Sequence, residues 1–179
     1  MKNNSSFNDH LNRLINCERI LLVQDLDGVC MPLVKDPLKR EIDKEYVKSI
    51  SKLGNEFSVL TCGEHEGRRG VNRIIERAFN SENLPKERGF YLPGLAACGI
   101  EYQNNFGEVK VLGVQDKEIL FLKEVPSIMK ELLYFEIKRC LPFLSQEEIK
   151  HQTNLSTCDT RFSPAINLNG LFNIVGDDL

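Results

Sequence analysis

At 179 residues, 41% of them hydrophobic and 27% charged, the chain can build one good core, or one core and part of a second unit. A net charge of −3 argues against a nucleic-acid-binding surface, which needs excess Lys and Arg. No apolar run reaches membrane-spanning length, and the polar start (Lys2 to Ser6) lacks a signal-peptide core. The six cysteines, Cys17, Cys30, Cys62, Cys98, Cys140 and Cys158, are irregularly spaced and form no Cys-x-x-Cys pair. Reduced thiols in a cytoplasmic protein are therefore expected.

In chain order, Phe7, Leu11, Leu14 and Ile15 recur at helical spacing and predict a short amphipathic helix over 6–17. Ile20-Leu21-Leu22-Val23 then drives through Gln24 into Asp25-Leu26-Asp27-Gly28. A run this short and apolar predicts a strand buried on both faces of a parallel sheet. Residues 30–42 hold two prolines and no regular period, and are read as an ordered loop beside the acids. Asp43 is placed to cap a helix through about Leu53, with Tyr46, Val47, Ile50 and Leu53 on one face and Gly54-Asn55 closing it. Phe57–Leu60 is the second strand, with Thr61-Cys62-Gly63 at its carboxyl end. A helix is expected from about Arg68 to Phe79, with Val71, Ile74, Ile75 and Ala78 inward.

Strand, helix, strand, helix is the pattern of a parallel sheet with crossover helices. The glycine-rich stretch 89–99 leads into a hairpin, 100–103 and 108–112, turning at Asn104-Asn105-Phe106-Gly107. A long helix is predicted from Asp116 to about Cys140, bent or interrupted at Pro126. Residues 151–179 mix Thr, Ser and Asn with short apolar runs and predict strands and loops. Ile174-Val175 reads as a strand meeting Asp177 and Asp178, which suggests a fragment of a longer protein. Those two acids would supply metal-binding carboxylates or a turn.

In open α/β sheets ligands bind beyond the carboxyl ends of the strands, where Asp25 and Asp27 fall. Asp-x-Asp also occurs as a cap or an Asx-turn. The apolar strand before it and Gly28-Val29 after it favour chemistry. Two acids at i and i+2 suit aspartyl-phosphate transfer, with Asp25 attacking phosphorus and Asp27 moving protons. A hard divalent cation, Mg²⁺, held at Asp25 and Asp27 would reduce repulsion between the carboxylate and a phosphate dianion. Thr61 can donate its hydroxyl to a phosphoryl oxygen or bond locally. In Gly63-Glu-His-Glu-Gly-Arg-Arg-Gly70 the backbone amides and the helix start favour an anion. His65 is a candidate to orient substrate, and Arg68 and Arg69 to bind phosphate or sugar, or simply to be solvated. Gly28 completes the candidate phosphate-binding set of Thr61, Gly63, His65, Arg68 and Arg69. Lys150 is either a solvated helix-end lysine or a partner of the phosphorylated site.

Motif one of the haloacid-dehalogenase superfamily matches Asp25-Leu-Asp-Gly-Val29, and motif two matches Thr61. Three longer blocks, Gln24 to Leu38, Gly63 to Arg73 and Tyr91 to Ala97, resemble the glucosylglycerol-phosphate phosphatase family of cyanobacterial salt tolerance. The resemblance implies an α/β, Rossmann-like haloacid-dehalogenase-type core with an inserted α+β cap, incomplete at the C-terminus. The expected divisions are an N-terminal extension at 1–17, a partial core at 18–112 and the start of the cap at 113–179. It further implies Mg²⁺-dependent hydrolysis of the small sugar phosphate glucosylglycerol 3-phosphate through an aspartyl-phosphate. The product, glucosylglycerol, is an osmoprotectant. Cys62 stands where an asparagine is expected in relatives. Another sugar-phosphate phosphatase, a phosphomutase, or a non-catalytic ligand-binding fragment are the alternatives.

Overall fold

The computed structural model describes residues 4–34 and 36–175. Asp177 and Asp178 lie outside the described residues. The fold is mixed α/β. Among the described residues, helix α1 (Asn4–Ile15) precedes strand β1 (Leu22–Gln24), helix α2 (Lys44–Ser51) and strand β2 (Phe57–Leu60). Helices α3 (Val71–Phe79) and α4 (Asn83–Arg88) lead to strand β3 (Gly94–Ala96) and the hairpin β4 (Glu101–Gln103) and β5 (Val109–Val111). The strands line up in the order β1-β2-β3-β4-β5, the first three parallel and the rest antiparallel.

Each element has a local cause. Asp43 caps α2 by accepting the Glu45 amide at 2.8 Å. Asn80, left-handed at φ 49°, ends α3. The hairpin turn is fastened by the Asn104 carboxamide oxygen, which accepts the amides of Phe106 and Glu108 at 3.0 and 3.1 Å. Alternation in β2 turns Phe57 and Val59 into the core while Leu60 is exposed. Val47 of α2 and Ile74 and Ile75 of α3 join Phe57, Val59, Leu26 and Leu92 in one buried cluster. A polar clamp crosses its edge: Asn72 and Gln103 exchange carboxamide hydrogen bonds of 2.6 and 3.0 Å, both side chains buried. Fully satisfied, such a pair fixes the register of α3 against β4.

Three expectations are corrected. The strand through Leu22 and Val23 is not buried on both faces. β1 is the edge of the sheet, and Leu21, Leu22 and Val23 are 60%, 42% and 53% exposed. An apolar run records a tendency to be buried, and burial itself depends on what packs there. The helix expected from Arg68 starts at Val71, because Gly67 at φ 85° turns the chain back on itself first. Ile174 and Val175 close a helix, α7 (Asn169–Val175), rather than a strand.

A second group of elements comes after the hairpin. Helix α5 (Asp116–Cys140) stays helical through Pro126, and α6 (Gln146–Ser156) starts from a capping box between Ser145 and Glu148. The region expected as strands and loops is therefore helical in its first part. Strands β6 (Thr157–Cys158) and β7 (Ala165–Ile166) pair antiparallel after it. Leu133, Ile137 and Ile149 form a separate small core between α5 and α6.

Candidate active site

The site begins with how the chain leaves β1. Leu26 is fully buried, while its neighbours Asp25 and Asp27 are exposed and half-buried. The Leu26 carbonyl then accepts the amides of Val29, Cys30 and Met31 at 3.1–3.2 Å, folding the loop around it. Gly28 makes that turn at φ 79°, and its amide donates to the Met31 carbonyl at 2.8 Å. One oxygen of Asp25, Oδ1, accepts the Leu26 amide at 2.8 Å, and the carboxylate is exposed. Asp27 is half-buried and faces Arg40, whose Nη1 lies 3.1 Å from Oδ2 and 3.5 Å from Oδ1.

Arg40 is a residue of this corner that sequence reasoning missed. It sits in the proline-containing loop, its side chain 10% exposed. Its Nε donates to the Pro37 carbonyl at 3.1 Å, and its Nη2 donates to the carbonyl of Arg69. One guanidinium thus joins Asp27, its own loop and the segment 63–70. The 3₁₀ turn Pro37–Lys39, capped by the Asp36 carboxylate, delivers it there. Sequence reasoning took these residues only as an ordered loop, and the partners of Arg40 meet it only in the folded chain.

Register Gln24↔Val59 between β1 and β2 sets Asp25 and Thr61 beyond the ends of adjacent parallel strands. Thr61 is buried, and its Oγ1 accepts the Gly63 amide at 3.2 Å. Arg40 borders the same corner: a Cβ on Gly63 would lie 3.6 Å from Thr61 Oγ1 and 3.7 Å from Arg40 Nη1. Asp27, Arg40 and Gly63 share a cleft of about 280 Å³ with Glu64, Arg69 and Thr160.

The segment 63–70 differs from its expected role. The first amides of α3, those of Val71 and Asn72, donate to the carbonyls of Glu64 and His65 at 2.9 and 3.0 Å. They are spoken for by the chain itself and offer nothing to an anion. His65 is completely buried. Its Nε2–H donates to the Gly94 carbonyl at 3.0 Å, and its backbone amide donates to Glu101 Oε2 at 2.7 Å. The acceptor at Nε2 fixes the neutral tautomer and leaves Nδ1 buried without a partner. Burial pushes the His65 pKa down, and burial pushes those of Glu64 and Glu101 up. His65 braces the loop from within.

Arg69 points to the other group of elements, with Nη1 2.7 Å from Asp159 Oδ1 and Nη2 3.3 Å from the Thr157 carbonyl. Glu64 does the same, accepting the Phe162 amide at 3.0 Å. These contacts lay residues 157–162 over the cleft. A second cleft of about 420 Å³ adjoins the first, sharing Glu64, Arg69 and Thr160. Arg68, Lys123, Lys130 and Arg161 line it in addition to the Arg69–Asp159 pair, so its lining is strongly cationic. Lys150 is exposed on α6 and lines neither cleft.

Mg²⁺ keeps several waters and takes one or two carboxylates together with substrate phosphate. Asp25 fits that need, since Oδ1 is engaged by a single amide and the carboxylate is exposed. Asp27 can contribute only beside Arg40. Among the described residues no group of three or more His, Cys, Asp or Glu comes together.

A carboxylate pair after one parallel strand, a buried threonine after the next and an adjoining cationic cleft thus meet at one end of a mixed α/β sheet. The chain belongs to the glucosylglycerol-phosphate phosphatase family, whose model matches residues 19–179. It is 42% identical over 164 residues to the glucosylglycerol-phosphate phosphatase of Synechocystis sp. (strain ATCC 27184 / PCC 6803 / Kazusa). That similarity covers 92% of this chain and 39% of the relative, so the chain spans about two fifths of the relative's length. No helix among the described residues is long and apolar enough to cross a membrane.

Proposed function

We propose that this chain carries the nucleophile end of a phosphatase that converts glucosylglycerol 3-phosphate to glucosylglycerol and phosphate, for osmoprotection under salt stress. The observation that supports the reading is that Asp25 and Asp27 follow directly on β1, with Arg40 paired to Asp27. In this reading the sheet and its helices are a haloacid-dehalogenase-type core. Residues from about 113 onward begin a cap, supported by the contacts of Arg69 and Glu64 with 157–162.

An oxygen of Asp25 attacks phosphorus as the bond from phosphorus to the glycerol oxygen breaks. Asp27 gives its proton to the departing alkoxide. Asp27 then takes a proton from water, whose oxygen displaces Asp25 from phosphorus and frees phosphate. Thr61 holds a phosphoryl oxygen through its hydroxyl, next to Gly63 and Gly28, whose lack of a side chain lets the ester approach. Mg²⁺, held at Asp25 and Asp27, would supply positive charge to the anionic centre. Arg40 fixes the direction of the Asp27 carboxylate. Arg68 and Arg69 border the clefts on the substrate side, and the overlying segment excludes water from the phosphorylated carboxylate.

Phosphate release from a panel of sugar phosphates, with and without Mg²⁺, tests the proposal on the full-length protein. Preferential, Mg²⁺-dependent release from glucosylglycerol 3-phosphate is expected. An isomerised ester in place of free phosphate would mark a mutase, and no turnover of any ester would remove the enzymatic reading.

A further inference from the structure

The cleft of about 420 Å³ beside the acids holds more positive charge than a neutral leaving group can use. Five cations line it: Arg68 and Arg69 from the segment 63–70, Lys123 and Lys130 from α5, and Arg161 from residues 157–162. Lys123 and Lys130 stand seven positions apart, two helical turns, so one stripe of α5 carries both, about 10 Å apart along its axis. Two carboxylates, those of Glu64 and Asp159, share the lining. The cleft meets its smaller neighbour at Glu64, Arg69 and Thr160, whereas Asp27 and Gly63 line the smaller one alone of the two.

Both carboxylates are already engaged. Asp159 accepts from Arg69 Nη1 at 2.7 Å, and Glu64 accepts the Phe162 amide at 3.0 Å. Burial also raises the Glu64 pKa, so that acid resists carrying charge. The cations are not balanced to the same degree. Among the described residues the side chains of Arg68, Lys123 and Lys130 have no hydrogen bond or ion pair, and the Arg161 guanidinium lies over the Phe162 ring, 4.6 Å from its centroid. Lysine and arginine side chains donate and never accept. A sugar is held by acceptors as well as donors, whereas a phosphate dianion calls almost entirely for donors and positive charge. The free valences of this cleft match the second kind of ligand.

We propose that the cationic cleft is a second phosphate-binding site, separate from the corner of Asp25 and Thr61, that takes up a phosphate dianion without a metal ion. The dianion is the free phosphate that the reaction releases or the phosphate group of the incoming ester. Asp25 and Asp27 repel such an ion unless a cation lies between them, so their corner needs Mg²⁺ to hold it and the cleft does not. Removing the metal therefore tells the two sites apart. Beside the acids, the cleft raises the local concentration of the ester and receives the phosphate that leaves them. That role in turnover rests on the phosphatase reading; the binding of phosphate does not.

The experiment is equilibrium dialysis of the full-length protein against radiolabelled inorganic phosphate, in EDTA and at constant ionic strength. One phosphate per chain is expected. Lys123→Glu and Lys130→Glu should each bind it about tenfold more weakly or worse, with thermal midpoints near that of the parent, while Lys130→Arg keeps it. Lys138→Glu changes the net charge equally from an exposed position on α5 outside the cleft, and should bind as the parent does. No phosphate bound in EDTA overturns the site. So does binding unchanged in both cleft variants, which puts the ion elsewhere, or an equal loss in Lys138→Glu, which reduces the effect to net charge. Glucosylglycerol 3-phosphate dialysed in the same buffer separates the two sources. Uptake of both, weakened together by Lys130→Glu, supports a site for any phosphate dianion, and uptake of free phosphate alone supports a product site. With Mg²⁺ restored, an ester that is never hydrolysed removes the phosphatase reading, and the dialysis in EDTA still decides the cleft.

Discussion

Arg40 approaches Asp27 from 13 positions further along the chain, its Nη1 3.1 Å from one carboxylate oxygen and 3.5 Å from the other. The same guanidinium donates to the carbonyls of Pro37 and Arg69. It therefore fastens the second acid, the proline-containing loop and the segment 63–70 to one another. Removing it leaves a half-buried carboxylate and two carbonyls without their donor. Arg40→Ala is expected to lower stability by about 2–4 kcal/mol and to depress phosphate release strongly. Arg40→Lys restores charge but not the fork, so it recovers stability more than turnover. Urea midpoints and initial rates on the full-length protein separate the two effects.

The two clefts predict a division of labour. Arg68, Lys123 and Lys130 line the larger one and lie away from the carboxylate pair. Reversing one of these charges should weaken ester binding and leave the chemical step alone. For Lys130→Glu the expected result is a KM raised by about tenfold, near 1.4 kcal/mol, with kcat almost unchanged. The effect should shrink as salt is added, because an open cationic cleft is screened. An equal fall in kcat would place Lys130 at the reacting atoms instead.

His65 predicts a pH dependence of stability. Its folded-state pKa is held below the ordinary 6.5 by burial, so the unfolded chain takes up this proton first as pH falls. The stability it supports is present above 6.5 and is lost below it. The loss is at most about 1.4 kcal/mol per pH unit, until the folded-state value is reached. Glu64 and Glu101 act in the opposite sense. Their raised values give stability that is full below 4.5 and fades as pH rises through the folded-state values. His65→Gln keeps a donor for the Gly94 carbonyl and removes the titration. The difference in urea midpoint between parent and variant should widen from pH 7.5 to pH 5, in the direction of relative acid resistance for the variant.

Gly94 is required by the close approach of β3 to β2. A Cβ there would lie 2.3 Å from the Val59 carbonyl oxygen and 2.5 Å from its nitrogen, at φ 135°. Gly94→Ala is expected to cost about 3 kcal/mol or more, because neither backbone can retreat without breaking the parallel pairing. A thermal midpoint close to that of the parent protein would show that β3 is free to shift.

The sequence was legible to the extent that interactions are short in range. Phe57–Leu60, the Asp43 cap and the hairpin at Asn104 to Gly107 depend on neighbours within a few residues, and all appear where expected. The capping box of Ser145 and Glu148 was equally local, but the Thr- and Asn-rich stretch after it concealed helix α6. The positions of Asp25, Asp27 and Thr61 just past β1 and β2 were legible because the apolar runs before them mark the strands. Arg40 and His65 were not. One acts through Asp27 and Arg69, the other through Gly94 and Glu101, and such partners meet only in the folded chain. The exposure of Leu22 and Val23 was hidden for a related reason: an apolar strand reads alike at the centre or at the edge of a sheet.

The assignment of Asp25 as nucleophile is tested most directly by Asp25→Asn in the full-length protein, assayed for phosphate release from glucosylglycerol 3-phosphate with Mg²⁺. The asparagine retains an oxygen for the Leu26 amide, so the fold should survive, as circular dichroism and the thermal midpoint would show. Phosphate release is predicted to vanish from a folded variant. Turnover within about tenfold of the parent protein would contradict the account, since a group other than Asp25 would then be attacking phosphorus.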